Sequence, residues 1–488
     1  MPKLGRRTLT ATSAAALFTA LLLPQASAQT DEPIADPLPD AKVSGLGITV
    51  EKLFTLPESE PEVPPTDPRI QRWARINYLG ELPDGSGRFY IPDLNGPMYV
   101  VDDGEIHEYL DLKAEFSPDF WASQGMGSGA GFITFHPDFE DNGKVYTVHT
   151  EARDALTDKE PDLPNRHESV VHSVITEWTA DDPSANTFSG TRREILRLSF
   201  PTFIHAVQQI GFNPTARPGD PDYGLLYLAV GDGGAGVYSD VPQDLSVPAG
   251  KILRIDPLGD DSANGEYGIP ESNPFVGRDD ALGEIYAYGL RDPHRFSWDS
   301  RTGKMYLGSI GEHQVESIYE VRAGDNFGWS EREGPFVYKW ASEGCAVYPL
   351  PPNDRRYGYT YPVAAYDHDA PEGYCSDVGR AVIGGFVYRG DDVPLLRGKY
   401  LFGDGVDGRL FYTNAHQMHR GVKDRTDLAP LYAMRIYDAD GDVLTMRDLA
   451  GDERVDLRFG TDSEGELYIL SKANGTVWKV TGAQWRKP

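Results

Sequence analysis

The sequence predicts an all-β chain folded as a six-bladed β-propeller of four-stranded antiparallel sheets. Three observations carry this. Short segments rich in Tyr, Val, Ile and Leu alternate with Gly, Asp, Asn and Pro, the pattern of half-buried strands joined by tight turns. One unit of that texture returns six times along the chain. No segment sustains a helical period, which argues against an α/β barrel or a doubly wound sheet.

The unit is an apolar pair, a polar turn of Asp, Pro or Gly, a strand of the form aliphatic-Tyr-aliphatic, and a Gly-containing turn into a further strand. Its copies fall at residues 87–101, 132–148, 210–255, 295–321, 385–412 and 457–480, with Tyr90, Tyr146, Tyr227, Tyr306, Tyr400 and Tyr468 in the Tyr-bearing strands. Such a unit cannot bury both faces alone, so units must stack, and radial stacking leaves only short sheet edges exposed. In a ring of this kind the first strand completes the last blade, and residues 48–56 are the natural candidate. Two sandwich domains would need a linker near the middle, and none stands out. The insertions at 151–168 and 331–379 are too long for turns and are expected to line one face and shape a pocket.

Residues 1–28 read as a secretory signal: Lys3, Arg6 and Arg7, an apolar run over 14–23, then Ala26-Ser27-Ala28. The Arg6-Arg7 pair fits export of a folded, cofactor-loaded protein and equally the general pathway. No later stretch approaches the ~18 apolar residues that cross a bilayer, so no membrane insertion is expected and the mature chain should be periplasmic or secreted. Residues 29–45 read as a flexible, acidic, Pro-rich leader, and 46–488 as one propeller domain. Removing the signal takes the formal net charge from −29 to −32, which excludes nucleic acid and anionic membranes as partners. An oxidising compartment predicts that Cys345 pairs with Cys375, closing a loop worth about 3–4 kcal/mol on the chain-entropy model.

Phe135-His136-Pro137-Asp138-Phe139, Gly231-Asp232-Gly233, Gly250-Lys251-Ile252-Leu253-Arg254-Ile255-Asp256-Pro257, Asn273-Pro274-Phe275-Val276-Gly277, Gly289-Leu290-Arg291-Asp292-Pro293 and Asn326-Phe327-Gly328-Trp329 follow one another in order. The ordered set resembles the soluble pyrroloquinoline-quinone sugar dehydrogenases, the glucose/sorbosone dehydrogenase family, over about residues 70–480. Phe386-Val387-Tyr388-Arg389-Gly390, followed by Gly403-Asp404 and Gly408-Arg409-Leu410, looks like its hedgehog-interacting-protein-like branch.

The resemblance implies a sugar dehydrogenase that passes hydride from the anomeric carbon of an aldose to pyrroloquinoline quinone, with calcium and an external electron acceptor. His205 matches the family's base, and imidazole suits proton removal near neutrality. Arg291 matches the residue that stabilises charge developing on the quinone oxygen. Asp292, Arg389 and Arg454 fall at cofactor-binding positions, Arg389 where the family has a lysine. Gly311 and Glu312 match the residues whose main-chain carbonyls hold calcium, with the Glu312 side chain as an additional ligand.

Departures from the family pattern accompany these matches. Ala206-Val207-Gln208 stands where the family has Asn-Gly-Gly, Asp292 where it has Asn, and Glu453-Arg454-Val455 where it has Arg-x-Arg. Loss of two charge-assisted contacts at about 1.5–3 kcal/mol each weakens quinone binding roughly 10²- to 10⁴-fold. A non-catalytic propeller that binds a glycan or protein on the same face is the rival reading, and a calcium-dependent lactone hydrolase a third. His136 reads as structural, and His416 and His419, three apart, as part of a solvated loop rather than a metal pair on a helical turn.

Overall fold

The computed structural model describes residues 32–487 except residue 35, residue 439 and the segments 62–64, 341–345, 370–379 and 422–426. The expected signal segment, Cys345 and Cys375 lie outside the described residues.

The chain is all-β, in a propeller arrangement. The first sheet comprises Gly80–Glu81, Phe89–Pro92, Pro97–Asp102 and Glu105–Asp111; the second Ala130–Phe135, Lys144–Ala152, Val171–Ala180 and Gly190–Phe200. The third comprises Val207–Phe212, Leu226–Val230, Lys251–Ile255 and Ile285–Tyr288; the fourth Asp292–Trp298, Met305–Ile310, Val315–Val321 and Ala364–Asp367. Within each, neighbours are antiparallel. Arg332–Glu333 and Phe336–Val337 form a separate small ribbon.

The expectation of six separate blades is corrected: four stand as separate four-stranded sheets, and the last two strand units merge into one nine-stranded sheet. The cause is the N-terminal strand Lys42–Thr55. Its 14 residues pair antiparallel with Thr476–Trp485 from Leu46 to Thr55, and parallel with Tyr432–Tyr437 from Lys42 to Ile48. A strand of that length extends about 46 Å at 3.3 Å per residue, enough to join two groups of strands. Residues 48–56 thus meet the final strand as expected. The stretch expected to be a flexible leader is partly docked: Ile34 bridges Val347, Leu38 is buried, and its amide donates to Asp367 Oδ2 at 2.8 Å.

Burial explains the strand composition. Ala130–Phe135 and Lys251–Ile255 are buried along their whole length, because each sheet is covered on both faces by its neighbours. Met98, Val100, Ile133 and Trp178 pack the first sheet on the second; Tyr146, Leu196, Leu228 and Leu253 pack the second on the third. Tyr227, Ile252, Phe296 and Leu307 join third to fourth, and Tyr306, Ile318, Tyr400 and Phe402 join fourth to the nine-stranded sheet. Tyr468 and Leu470 from that sheet close on Ile91 and Tyr99 of the first. Among the described residues no helix is long and apolar enough to cross a membrane.

Candidate functional site

The innermost strands converge on one cavity of about 370 Å³. Gly131, Gln208, Asp292, His294, Ile383 and Arg458, each from the first strand of a unit, line it. Strand register brings further groups to the same end. Val207 pairs with Val230, so His205, two residues before one strand, faces Asp232, two residues after the other. Asp292 pairs with Ile310, so Arg291 and Gly311 flank one another in the same way.

His205 sits at a left-handed φ of 53°. Its carbonyl accepts the Gly233 amide at 3.1 Å, and a Cβ on Gly231 would come within 2.3 Å of that oxygen, so only glycine fits there. His205 Nδ1 bonds Asp232 Oδ1 at 2.7 Å, while Asp232 Oδ1 also accepts the Gly234 amide at 2.8 Å and Oδ2 the Trp329 indole N–H at 2.9 Å. Burial acts to raise the Asp232 carboxyl, but the His205 charge and hydrogen bond, Arg291 and the Gly234 amide outweigh it and hold it below its ordinary value. Asp232 holds the ring through Nδ1, which leaves Nε2 turned to the cavity. Nε2 lies 3.9 Å from Asp292 Oδ2.

Asp292 is buried, with Oδ1 lacking any hydrogen-bond partner among the described residues. Burial raises its pKa, against the pull of His205 and Arg291. The Arg291 guanidinium pairs with the Glu312 carboxylate through Nη2 and reaches the Ile310 carbonyl at 3.4 Å through Nη1. Burial acts to lower the Arg291 pKa, but Glu312, Asp232, Asp292 and Glu333 together raise it, so the group stays charged. His294 is buried between Arg295 and Arg458; desolvation and then those charges push it well below the usual histidine range, so it is neutral.

Of the residues singled out by sequence, His205, Arg291, Asp292, Gly311, Glu312 and Arg454 meet at this cavity. Arg389 does not. It forms a two-pronged pair with Asp299, at 2.6 and 2.7 Å. Ile383 stands at the cavity, and Arg389 follows six residues along the chain, about 20 Å for extended backbone, which carries it to the opposite end. The insertion 151–168 contributes nothing to the cavity lining; its Glu151 is buried instead against Arg197 at 2.7 Å and Lys159 at 2.9 Å. The other insertion contributes His368, bonded to Glu316 at 2.7 Å. His136 is structural, its Nδ1 accepting the Asp138 amide at 3.0 Å.

Sequence reasoning missed Asp232 as partner of the histidine, and Arg69, Arg380 and Arg458 as cavity arginines. Arg380 precedes its inner strand by two residues, the same offset as His205, and that offset was a usable signal. The departures at 453–455 also read differently in three dimensions. Glu453 points outward to Arg447 at 3.0 Å with 88% of its side chain exposed, Val455 is core, and Arg454 reaches the cavity while bonding Asp456 at 3.0 Å. Arg458 donates to Asn77 Oδ1 at 3.1 Å and the Leu457 carbonyl at 2.7 Å, and burial lowers its pKa to about 10.

The donor set suits two kinds of ligand. Arg69, Arg291, Arg380 and Arg454 are paired with Asp67, Glu312, Asp407 and Asp456, and Arg458 bonds an amide and a carbonyl oxygen, so the cluster of guanidinium groups suits a multiply charged anion that shares them. The Gly311 and Glu312 carbonyls beside the Glu312 carboxylate suit a hard cation. Among the described residues no cluster of three or more His, Cys, Asp or Glu side chains is arranged to hold a metal, so main-chain oxygens would have to serve.

Residues 78–448 match the family described as Glucose / Sorbosone dehydrogenase. HIPL1 protein of Arabidopsis thaliana is 25% identical over 479 residues, spanning 87% of this chain and 64% of its own length. Hedgehog-interacting protein of Homo sapiens is 25% identical over 418 residues, 81% of this chain but 49% of its own length. The chain therefore spans just under two thirds of the first of these relatives and about half of the second. Aldose sugar dehydrogenase YliI of Escherichia coli is 25% identical over 399 residues, 80% of this chain and 88% of the enzyme. Among solved structures, the PQQ-bound aldose sugar dehydrogenase of Streptomyces coelicolor superposes with a TM-score of 0.54 at 18% identity, covering 92% of this chain and all of that one, a likeness of fold.

Proposed function

The chain belongs to the glucose/sorbosone dehydrogenase family, and from that premise we propose that it oxidises the anomeric hydroxyl of an aldose with pyrroloquinoline quinone and calcium. The observation that carries this is the His205–Asp232 pair opening onto an arginine-lined cavity. Bound quinone would supply the hydride acceptor. His205 Nε2 takes the hydroxyl proton while Asp232 holds the ring in the required tautomer and stabilises the imidazolium that forms. Arg291 brings positive charge beside this base. Arg458, with Arg380 and Arg454 shared between the ligand and their partners Asp407 and Asp456, would hold the quinone carboxylates in place of the missing Arg-x-Arg. Gly311 and Glu312 would hold the calcium ion. An external acceptor would take the electrons from the reduced quinone.

In this reading the nine-stranded sheet supplies the fifth and sixth arms of a six-armed ring, which the pairwise cores between successive sheets support. The charged, apolar and small-residue order of residues 1–28 supports export to a periplasm or beyond the cell.

A second reading, a non-catalytic module that binds a glycan or protein, draws support from two features. Glu312 already neutralises Arg291, and Asp292 puts a carboxyl in the cavity lining. Mixing purified protein with the quinone and calcium chloride separates the two. The dehydrogenase reading expects a bound-quinone absorbance spectrum that aldoses bleach, and a folded His205→Ala variant that binds quinone but turns over at least ~10³-fold more slowly. Absence of any bound-quinone spectrum favours the binding module.

A further inference from the structure

Glu333, from the small ribbon, gathers four consecutive backbone amides on one oxygen. Its Oε1 accepts from the amides of Glu312 at 2.9 Å, His313 at 2.8 Å, Gln314 at 2.9 Å and Val315 at 3.0 Å. Glu316 Oε1 takes the preceding amide, Gly311, at 3.2 Å, and its Oε2 takes the Val382 amide at 2.8 Å. The whole run of amides from 311 to 315 is thereby turned onto two buried carboxylates.

Peptide planarity decides what the other side of this loop presents. In a trans peptide the carbonyl is antiparallel to the following N–H. The Gly311 carbonyl shares a peptide with the Glu312 amide, and the Glu312 carbonyl with the His313 amide. Both carbonyls therefore turn away from Glu333, and among the described residues no donor reaches either. Gly311 and Glu312 line the cavity. Gly311 is confined to glycine, because a Cβ there would lie 2.0 Å from the Val315 carbonyl oxygen and 2.8 Å from Glu333 Oε1. Glu333 Oε2 is buried and has no partner among the described residues. A desolvated carboxylate with an unspent oxygen is unfavourable in isolation. It is favourable when positive charge collects at the far end of the peptide dipoles it aligns.

We propose that Glu333 is the positioning residue of a divalent-cation site on the Gly311 and Glu312 carbonyls, setting its affinity through aligned peptide dipoles and not by coordination. The inference rests on the dehydrogenase reading's assignment of the cation to those carbonyls.

The test titrates calcium chloride alone into the chelator-treated full chain by calorimetry, with amide exchange followed at residues 311–315. Glu333→Gln keeps the size and an acceptor oxygen but removes the charge. Glu466→Gln is the control: Glu466 is a comparable buried latch remote from the cavity, its Oε1 accepting the Asp391 and Asp392 amides at 2.8 and 2.9 Å and its Oε2 the Tyr388 hydroxyl at 2.6 Å. The expected result is calcium affinity at least tenfold weaker in E333Q, with faster exchange at 311–315, and wild-type affinity in E466Q despite a lowered Tm. Equal affinity in E333Q and wild type overturns the proposal and leaves the calcium reading standing. Equal losses in both variants overturn it too, as a general effect of stability. No saturable binding to the wild-type protein overturns both the proposal and the calcium reading.

Discussion

At the scale of the residue, the proposed base His205 would owe its chemistry to Asp232. Without the carboxylate, the imidazole loses both its tautomer and the charge that stabilises its protonated form. Asp232→Asn should lower kcat about 10²- to 10³-fold while leaving quinone affinity within a factor of about two, as measured by turnover and spectral titration. The same residue predicts a pH dependence. Its folded pKa lies below the ordinary value of 3.8, so the unfolded chain binds the proton more readily. The pair's contribution is fully present above the unfolded value and is lost as pH falls through the folded one. The stability gap between wild type and Asp232→Asn should therefore be constant from about pH 5 to 6 and shrink below about pH 4, in denaturant titrations across that range.

At the scale of the element, one rule sorts cavity-lining residues from the rest: groups just before an inner strand reach the cavity, and groups just after it reach the far end. His205, Arg291, Arg380 and Arg454 obey the first clause, Asp299 and Arg389 the second. Arg389 follows Val382–Val387, and Asp299 follows Asp292–Trp298, so their pair ties the fourth sheet to the next at the end away from the cavity. Arg389→Ala strips a buried carboxylate of its cation and should cost about 3 kcal/mol, read from chemical denaturation, with quinone binding unchanged. A loss of quinone affinity at unaltered stability would restore the cofactor role expected from sequence. The motif Phe386-Val387-Tyr388-Arg389-Gly390 was legible as a feature of the chain, but its end of the strand was not, because a strand's period records which face is buried and says nothing of which end faces the site.

At the scale of the whole molecule, the N-terminal strand holds the nine-stranded sheet together. Ile48 is 1% exposed and packs with Tyr412, Ile436 and Val480, whereas Val43 on the same strand is 63% exposed. Ile48→Ala should cost about 2–5 kcal/mol, and Val43→Ala stay within about 0.5 kcal/mol, compared by thermal unfolding of the two variants. A similar small effect at both positions would mean that the strand is not part of the cooperative unit.

The sequence by itself determined the all-β class, the returning strand unit and the pairing of the segment near Ile48 with the last strand, because alternation and turn residues are local and written along the chain; the family resemblance added His205, Arg291 and Gly311-Glu312, which line one cavity. Only the tertiary structure decided that Asp232 rather than a neighbour in sequence partners the histidine, that Arg380 and Arg458 supply cavity charge while Arg389 does not, and that a single long strand fuses the last two units into one sheet. The reason is geometric: each of those outcomes depends on which ends of antiparallel strands, up to hundreds of residues apart, the closing of the ring brings to its axis.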